Sequence, residues 1–183
     1  MSLMTLSIDC GGLSLKASVL DEAGTMHAQS ISVPTPYPLS PTLLMETFAD
    51  MAKKLPKFDR ITVGFPGMVR HGVIVYTPHY INVRGPRTKV DPELAEAWRG
   101  YDLQSNLTEF FGKPALVLND AEVHGAGVVA GTGFEVMLTL GTGLGCAIFD
   151  GGKLLPHIEF SHAPIRRGTM YDEWIGEHER RRL

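Results

Sequence analysis

The chain states one short pattern twice. Ser7-Ile8-Asp9-Cys10-Gly11-Gly12-Leu13 ends an apolar run in a glycine-rich turn, and Thr139-Leu140-Gly141-Thr142-Gly143-Leu144-Gly145 does so again. Each turn leads into a second apolar run, and each of those ends in an Asp and Gly turn, at Asp21 to Gly24 and at Asp150 to Gly152. Internal repetition constrains a fold more than any single motif, because both copies must be built as the same supersecondary unit. The unit reads as strand, glycine-rich turn, strand. It differs from a P-loop, whose turn opens a helix and ends in Gly-Lys-Ser/Thr. It differs equally from a dinucleotide fingerprint, because no helical pattern follows either turn. Glycine-rich turns between strands bring bare backbone N–H groups close to an anion. Either turn alone is equally a tight hairpin. Two of them, the first with Asp9 at the end of its strand, point to a pair of turns that grip phosphates.

The remaining elements follow from periodicity and breakers. Thr5 to Ile8 and Leu13 to Leu20 read as strands, and Met26 to Val33 as a third. Pro34, Pro36, Pro38 and Pro41 make an extended connection. Ser40 is placed to cap a helix with Pro41 in its first position, and Leu44, Phe48, Met51, Ala52 and Leu55 give that helix one buried face. Arg60 to Phe65 is a buried strand ending at Pro66-Gly67, and His71 to Tyr76 is another strand. Thr77 to Val90 is polar and irregular. Asp91 and Asp102 each cap a helix; the second carries Leu103, Leu107, Phe110 and Phe111 on one face and stops at Gly112. Ala115 to Leu118 is a strand with Asn119-Asp120 at its carboxyl end. Ala121 to Ala130 reads as a helix, broken by Gly131-Thr132-Gly133. Phe134 to Leu140 and Cys146 to Phe149 are strands. Thr169 is expected to cap a last helix bearing Tyr171, Trp174, Ile175 and His178. The expected class is α/β. The first copy of the repeat is followed by alternating helices and strands, whereas the second starts near residue 134 with only about 50 residues left. The chain therefore reads as a full lobe over residues 1–120 and the beginning of a related, incomplete lobe over 121–183.

Composition narrows the function classes. Lys and Arg number 17 against 20 Asp and Glu, a net charge of −3. A nucleic-acid binder working through a general basic field is therefore not expected; only Arg166-Arg167 and Arg180-Arg181-Arg182 are locally basic. No apolar run reaches the ~18 residues of a membrane span, and the first residues lack the pattern of a signal peptide. Met1-Ser2-Leu3 before Met4 reads as a vector-derived start. Cys10 and Cys146 have no metal-like spacing and fit small residues beside tight turns in a reducing cytoplasm. Zinc binding through His157 and His162 lacks further ligands.

Five segments together resemble the ROK sugar kinases. They are Asp9 to Lys16, with the first glycine turn; Phe65-Pro66-Gly67-Met68-Val69 followed by His71-Gly72-Val73-Ile74; Leu118-Asn119-Asp120-Ala121; Leu140 to Gly145; and Glu159-Phe160-Ser161-His162. Their order and spacing are similar over essentially the whole chain. Within that family the chain is most similar to the polyphosphate glucokinase subgroup, which lacks the cysteine-rich zinc loop after the His, and no structural zinc is expected.

The resemblance implies an actin-like (ribonuclease H-like) fold, with a hexose bound between two related lobes and the phosphoryl donor beside it. Members run to roughly a hundred residues more, which would complete the second lobe. The reaction implied is transfer of a phosphoryl group from polyphosphate or ATP, with Mg2+, to the 6-hydroxyl of glucose or a similar hexose. Asp120 would be the general base, although on its own it is equally a helix cap. Asn119, Glu159 and His162 would bind sugar hydroxyls. Asp9 would orient magnesium through water, and Gly11, Gly12, Gly141, Thr142 and Gly143 would cradle phosphates. Lys16 would point either at the donor or into solvent.

Two positions depart from the family pattern: Leu13 stands where a Ser or Thr is usual, and Ser161 where Gly is usual. Asp172 is a further candidate sugar-binding acid. The family's repressors carry an N-terminal helix-turn-helix, which a first strand starting by residue 5 leaves no room for. A homodimer is suggested by family analogy alone. The alternative to a kinase is a catalytically silent or truncated sugar-binding relative.

Overall fold

β1 (Thr5–Cys10) buries Leu6, Ile8 and Cys10 on one face, the alternation expected of a strand set on a core. β2 (Ser14–Leu20) returns antiparallel to it, and β3 (Ile31–Pro34) antiparallel to β2. The computed structural model describes residues 2–140, 143–161, 163–166, 168–176 and 182. The expectations placed on Gly141, Thr142, His162 and His178 lie outside these residues. The chain divides into two compact units, residues 1–119 and 120–183.

In the first unit, α1 (Pro41–Ala52) begins as its sequence dictates. Ser40 is extended and its hydroxyl accepts from the Leu43 N–H, while Leu44, Phe48 and Met51 are buried. β4 (Arg60–Phe65) pairs parallel with β1. A hairpin follows, β5 (Met68–Arg70) and β6 (Val73–Tyr76). α2 (Pro92–Trp98) is capped by Asp91. β7 (Tyr101–Asp102) adds to β6. α3 (Leu103–Phe111) is capped by Asp102 and ends on Gly112 at φ 60°. β8 (Ala115–Asn119) pairs parallel with β4, giving a five-stranded sheet in the order β3-β2-β1-β4-β8. Phe65, Tyr80 and Trp98 pack edge-to-face or tilted at ring-centroid distances of 5.3 to 5.7 Å in the core, and the Trp98 indole N–H donates to the Leu39 carbonyl.

The second unit starts with α4 (Asp120–Ala126). β9 (Phe134–Leu140), β10 (Leu144–Asp150) and β11 (Lys153–Leu154) form an antiparallel sheet in the order β11-β10-β9. This is the same meander as β3-β2-β1, so the repeated sequence does build a repeated unit. Gly125 lets α4 lie close on this sheet, since a Cβ there would stand 2.8 Å from the Phe149 ring. β12 (Pro164–Arg166), β13 (Thr169–Met170) and α5 (Tyr171–Ile175) follow.

Several expected elements differ, each for a local reason. The third strand was expected from Met26 but its ladder begins at Ile31, beyond a single Leu20–Met26 bridge. The Asp21 carboxylate accepts from the Ala23 and Thr25 N–H groups and meets His27 Nε2 at 2.9 Å, which curls residues 21–27 into a turn. Helix α4 stops at Ala126 rather than Ala130. Beyond it the Glu135 carboxylate takes the Ala130, Gly131 and Thr132 N–H groups. The expected His71–Tyr76 strand is the second arm of a hairpin that starts at Met68, turning at His71 and Gly72, both at positive φ. Phe110 is 55% exposed rather than core-facing. Thr169 lies in β13, and its hydroxyl accepts from the Trp174 indole N–H rather than capping α5.

Candidate active site

The first glycine turn joins β1 to β2 and is held from behind. The Thr35 and Tyr80 hydroxyls donate to the Gly11 carbonyl at 2.9 and 3.2 Å, and the Tyr37 hydroxyl donates to the Gly12 carbonyl at 2.8 Å. Burial pushes the Tyr37 phenol up to about 12, so it remains a donor through the neutral range. The Gly11 N–H donates to the Ser14 carbonyl and closes the turn. Glycine is required here by close approach. A Cβ on Gly11 would stand 2.8 Å from the Ser14 carbonyl oxygen, and one on Gly12 would stand 2.7 Å from Pro86 Cγ. Leu13, at the tip, is 80% exposed. Asp9 and Lys16 face each other across the β1–β2 ladder, with Nζ 3.7 Å from Oδ2 and both side chains substantially exposed. Lys16 thus lies on the same strand face as Asp9. Sequence reasoning missed Thr35, Tyr37 and Tyr80, because nothing in a Pro-rich connection or an irregular loop marks a residue that reaches back over tens of positions.

Asn119 ends β8, and its buried side chain donates to the Gly67 carbonyl at 2.9 Å. Gly67 has φ +127°, and a Cβ there would collide with the Tyr76 carbonyl. The Pro-Gly segment therefore seats Asn119 through its backbone. Asp120 is the first residue of α4, where its Oδ1 accepts from the Ala121 N–H at 2.9 Å.

In the second unit the half-buried Glu159 sits within a chain of polar groups. Its Oε1 accepts from the Ser161 N–H at 3.2 Å and from the Ser161 hydroxyl. Its Oε2 lies 3.5 Å from His157 Nε2, and His157 Nδ1 lies 3.3 Å from Glu122 Oε1. Burial opposes the charge on His157, but the carboxylates of Glu122 and Glu159 prevail and raise it to about 9. Burial likewise opposes the charge on Glu159, and the bonds from His157 and Ser161 prevail and hold it below the ordinary carboxylate range. Glu122 is a functional candidate that the sequence did not reveal, and His157 stood out there only as an isolated zinc-ligand candidate. The only signal was the spacing of two between His157 and Glu159. Gly143 lies in the second glycine turn, and Asp172 in α5.

Among the described residues no cluster of three or more His, Cys, Asp or Glu side chains could hold a metal ion. The exposed Asp9 carboxylate beside the glycine turn does suit magnesium, which keeps most of its waters and takes one or two carboxylates together with substrate phosphates.

The strand order, the repeated meander and the glycine turn define an α/β protein of the actin-like (ribonuclease H-like) class. The ROK family profile matches residues 5–158, and the chain belongs to that family. It is 29% identical over 167 residues to a polyphosphate glucokinase of Mycobacterium tuberculosis, covering 86% of this chain and 57% of that protein. The chain thus spans little more than half the length of that relative. Among solved structures it superposes on the inorganic polyphosphate/ATP-glucomannokinase of Arthrobacter sp. strain KM with a TM-score of 0.76 at 29% identity, covering 98% of this chain and 71% of that one. It also superposes on a ROK family glucokinase of Streptomyces griseus, solved with glucose and AMPPNP, with a TM-score of 0.69 at 26% identity, covering 88% and 51%. No helix among the described residues is long and apolar enough to cross a membrane.

Proposed function

We propose that this protein is a hexose kinase that transfers a phosphoryl group from polyphosphate or ATP to the 6-hydroxyl of glucose or a similar hexose. The observation that carries the reading is the placement of Asn119 and Asp120, in a ROK chain, where β8 passes into α4: one side chain anchored to the Gly67 carbonyl, the next at the first turn of a helix. Asp120 acts as the general base on the accepting hydroxyl, which needs a carboxylate held within hydrogen-bond reach of the proton it takes. Asn119, Glu159 and His162 bind sugar hydroxyls. Gly11, Gly12, Gly141, Thr142 and Gly143 line the donor phosphates, with Lys16 beside Asp9 as the nearby cation. Magnesium, held through Asp9 and water, would neutralise charge on the transferring group. Residues 121–183 are read as the beginning of a second lobe related to the first, and the protein as one acting in the cytoplasm without nucleic acid, with a homodimer open by analogy.

Calorimetric titration with glucose tests the sugar half of this reading. Glu159→Gln and Asn119→Ala should each weaken binding by roughly tenfold or more, the cost of one charge-assisted or buried hydrogen bond. Equal affinity in all three proteins would refute the assignment.

One observation favours a second reading, a sugar-binding relative with little turnover. Leu13 exposes an apolar side chain at the tip of the donor turn, where the family usually carries a hydroxyl. On that reading glucose binds, but Leu13→Thr is needed to give measurable turnover.

A further inference from the structure

The second unit concentrates its buried charge at one place, and His157 is at its centre. The imidazole side chain is 3% exposed and stands between two carboxylates, Nδ1 at 3.3 Å from Glu122 and Nε2 at 3.5 Å from Glu159. The two carboxylates come from different elements. Glu122 lies on α4, two residues after Asp120; Glu159 lies on the segment after β11. The Glu122 side chain is 5% exposed and that of Glu159 22%; a carboxylate as buried as Glu122 needs a partner, and removing that partner leaves an uncompensated charge. Glu159 is also tied by Ser161, whose N–H and hydroxyl both meet Oε1. With His157 on Oε2, three of the roughly four acceptor positions of the carboxylate are taken by the described residues.

Resting on the reading of Glu159 as a sugar ligand, we propose that His157 is a positioning residue, which ties the Glu159 carboxylate to the helix of Asp120 and leaves it one acceptor position for one sugar hydroxyl. The cross-link explains how a carboxylate on an irregular segment can be aimed. Helix α4 starts at Asp120, and the side chain of Glu122 on that helix meets the imidazole that meets Glu159. A shift of the sugar segment would then be felt at α4. Ser161, standing where the family usually has glycine, supplies the second constraint on the same carboxylate. The titratable groups facing this cluster among the described residues are Glu122 from α4, Glu159 from the same segment as His157, and Cys146 from β10. Burial and then Glu159 push the Cys146 thiol upward, so it stays neutral. His157, raised to about 9, stays charged across the neutral range.

The test compares the full chain with H157N and H157Q. Glucose is varied at saturating donor from pH 6 to 10, and the Glu159 carboxyl is titrated by 13C NMR. An asparagine amide reaches Glu122 from roughly the place of Nδ1 but falls short of Glu159, whereas a glutamine amide reaches Glu159 from the place of Nε2. H157N should raise KM for glucose about tenfold with kcat within about threefold, because Asp120 is untouched. H157Q should recover part of that loss. In the wild-type protein KM should climb as pH passes about 9, and H157N should lack that rise. The Glu159 carboxyl should titrate at higher pH in H157N than in the wild type. An unchanged KM in H157N, a pH limb that survives the substitution, or a Glu159 titration that does not move would each overturn the proposal. A wild-type protein that neither binds nor phosphorylates glucose would instead overturn the sugar reading and the ligand half of the proposal with it. The tie between His157 and Glu159 would still be decided by the carboxyl titration alone.

Discussion

At the scale of single residues, the first glycine turn was legible as a motif but not as a packed object. Asp9, Gly11 and Gly12 stand out in sequence because two glycines after a strand are rare without a reason. What the sequence could not show is that Gly12 is needed for contact rather than for conformation. A methyl group there would sit 2.7 Å from Pro86 Cγ and 3.1 Å from the His79 ring, both brought in from the irregular Thr77 to Val90 segment. Gly12→Ala should therefore destabilise the protein by about 1–3 kcal/mol, the usual cost of overpacking a close contact. Urea denaturation should show a lower midpoint with an unchanged slope; a midpoint equal to wild type would mean that Pro86 yields without cost. The same limit hid Glu122 and His157, because a buried ion pair joins positions 35 residues apart. Single-sequence patterns report neighbours at helix or strand spacing, and no such period links the two.

At the scale of elements, caps and periodicity carried most of the assignment. Ser40, Asp91, Asp102 and Gly112 all sit where their chemistry places them. Two of the misreadings arose where a side chain captured backbone N–H groups: Asp21 before β3 and Glu135 after α4. Such captures compete with regular structure and leave hydrophobic periodicity intact, so they are invisible to it. The element-level consequence of the buried cluster is a pH dependence of the second unit. The folded-state value for His157 is raised above its ordinary 6.5, to about 9. Its contribution to stability is therefore complete below about pH 6.5 and is lost as pH rises through about 9. Glu159 is shifted the other way, so its contribution is present above the ordinary carboxylate range and is lost on acidification. Hydrogen exchange of α4 and β10 should show the second unit opening more readily at pH 9.5 than at pH 7, and that difference should vanish in His157→Gln. Equal protection at both pH values would contradict a charged imidazole in the fold.

At the scale of the whole molecule, the repeat was the most informative feature of the sequence, and both copies do form the same antiparallel meander. In the first unit β1 also pairs with the parallel strand β4, whereas β9 has only β10 as a neighbour among the described residues. Phe134, Val136, Leu138 and Leu140 are each more than half exposed along β9. A row of exposed apolar side chains on an edge strand favours association. Val136→Thr combined with Leu138→Thr should lower light scattering of the concentrated protein without changing its melting temperature by more than a few degrees, since surface changes are within about 0.5 kcal/mol. Unchanged scattering would show that this face is not sticky in solution.

The central claim is that a carboxylate at the start of α4 takes the proton from a hexose hydroxyl as phosphate arrives. The most direct measurement is formation of glucose 6-phosphate with magnesium, ATP and polyphosphate being supplied separately, by this chain and by Asp120→Asn at matched intact mass. The account predicts turnover with at least one donor and a loss of about 10²–10⁴-fold in the variant, the range expected for removing a general base. Turnover that survives the substitution would contradict Asp120 as the base, and its absence with both donors would contradict the assignment of this chain as a kinase.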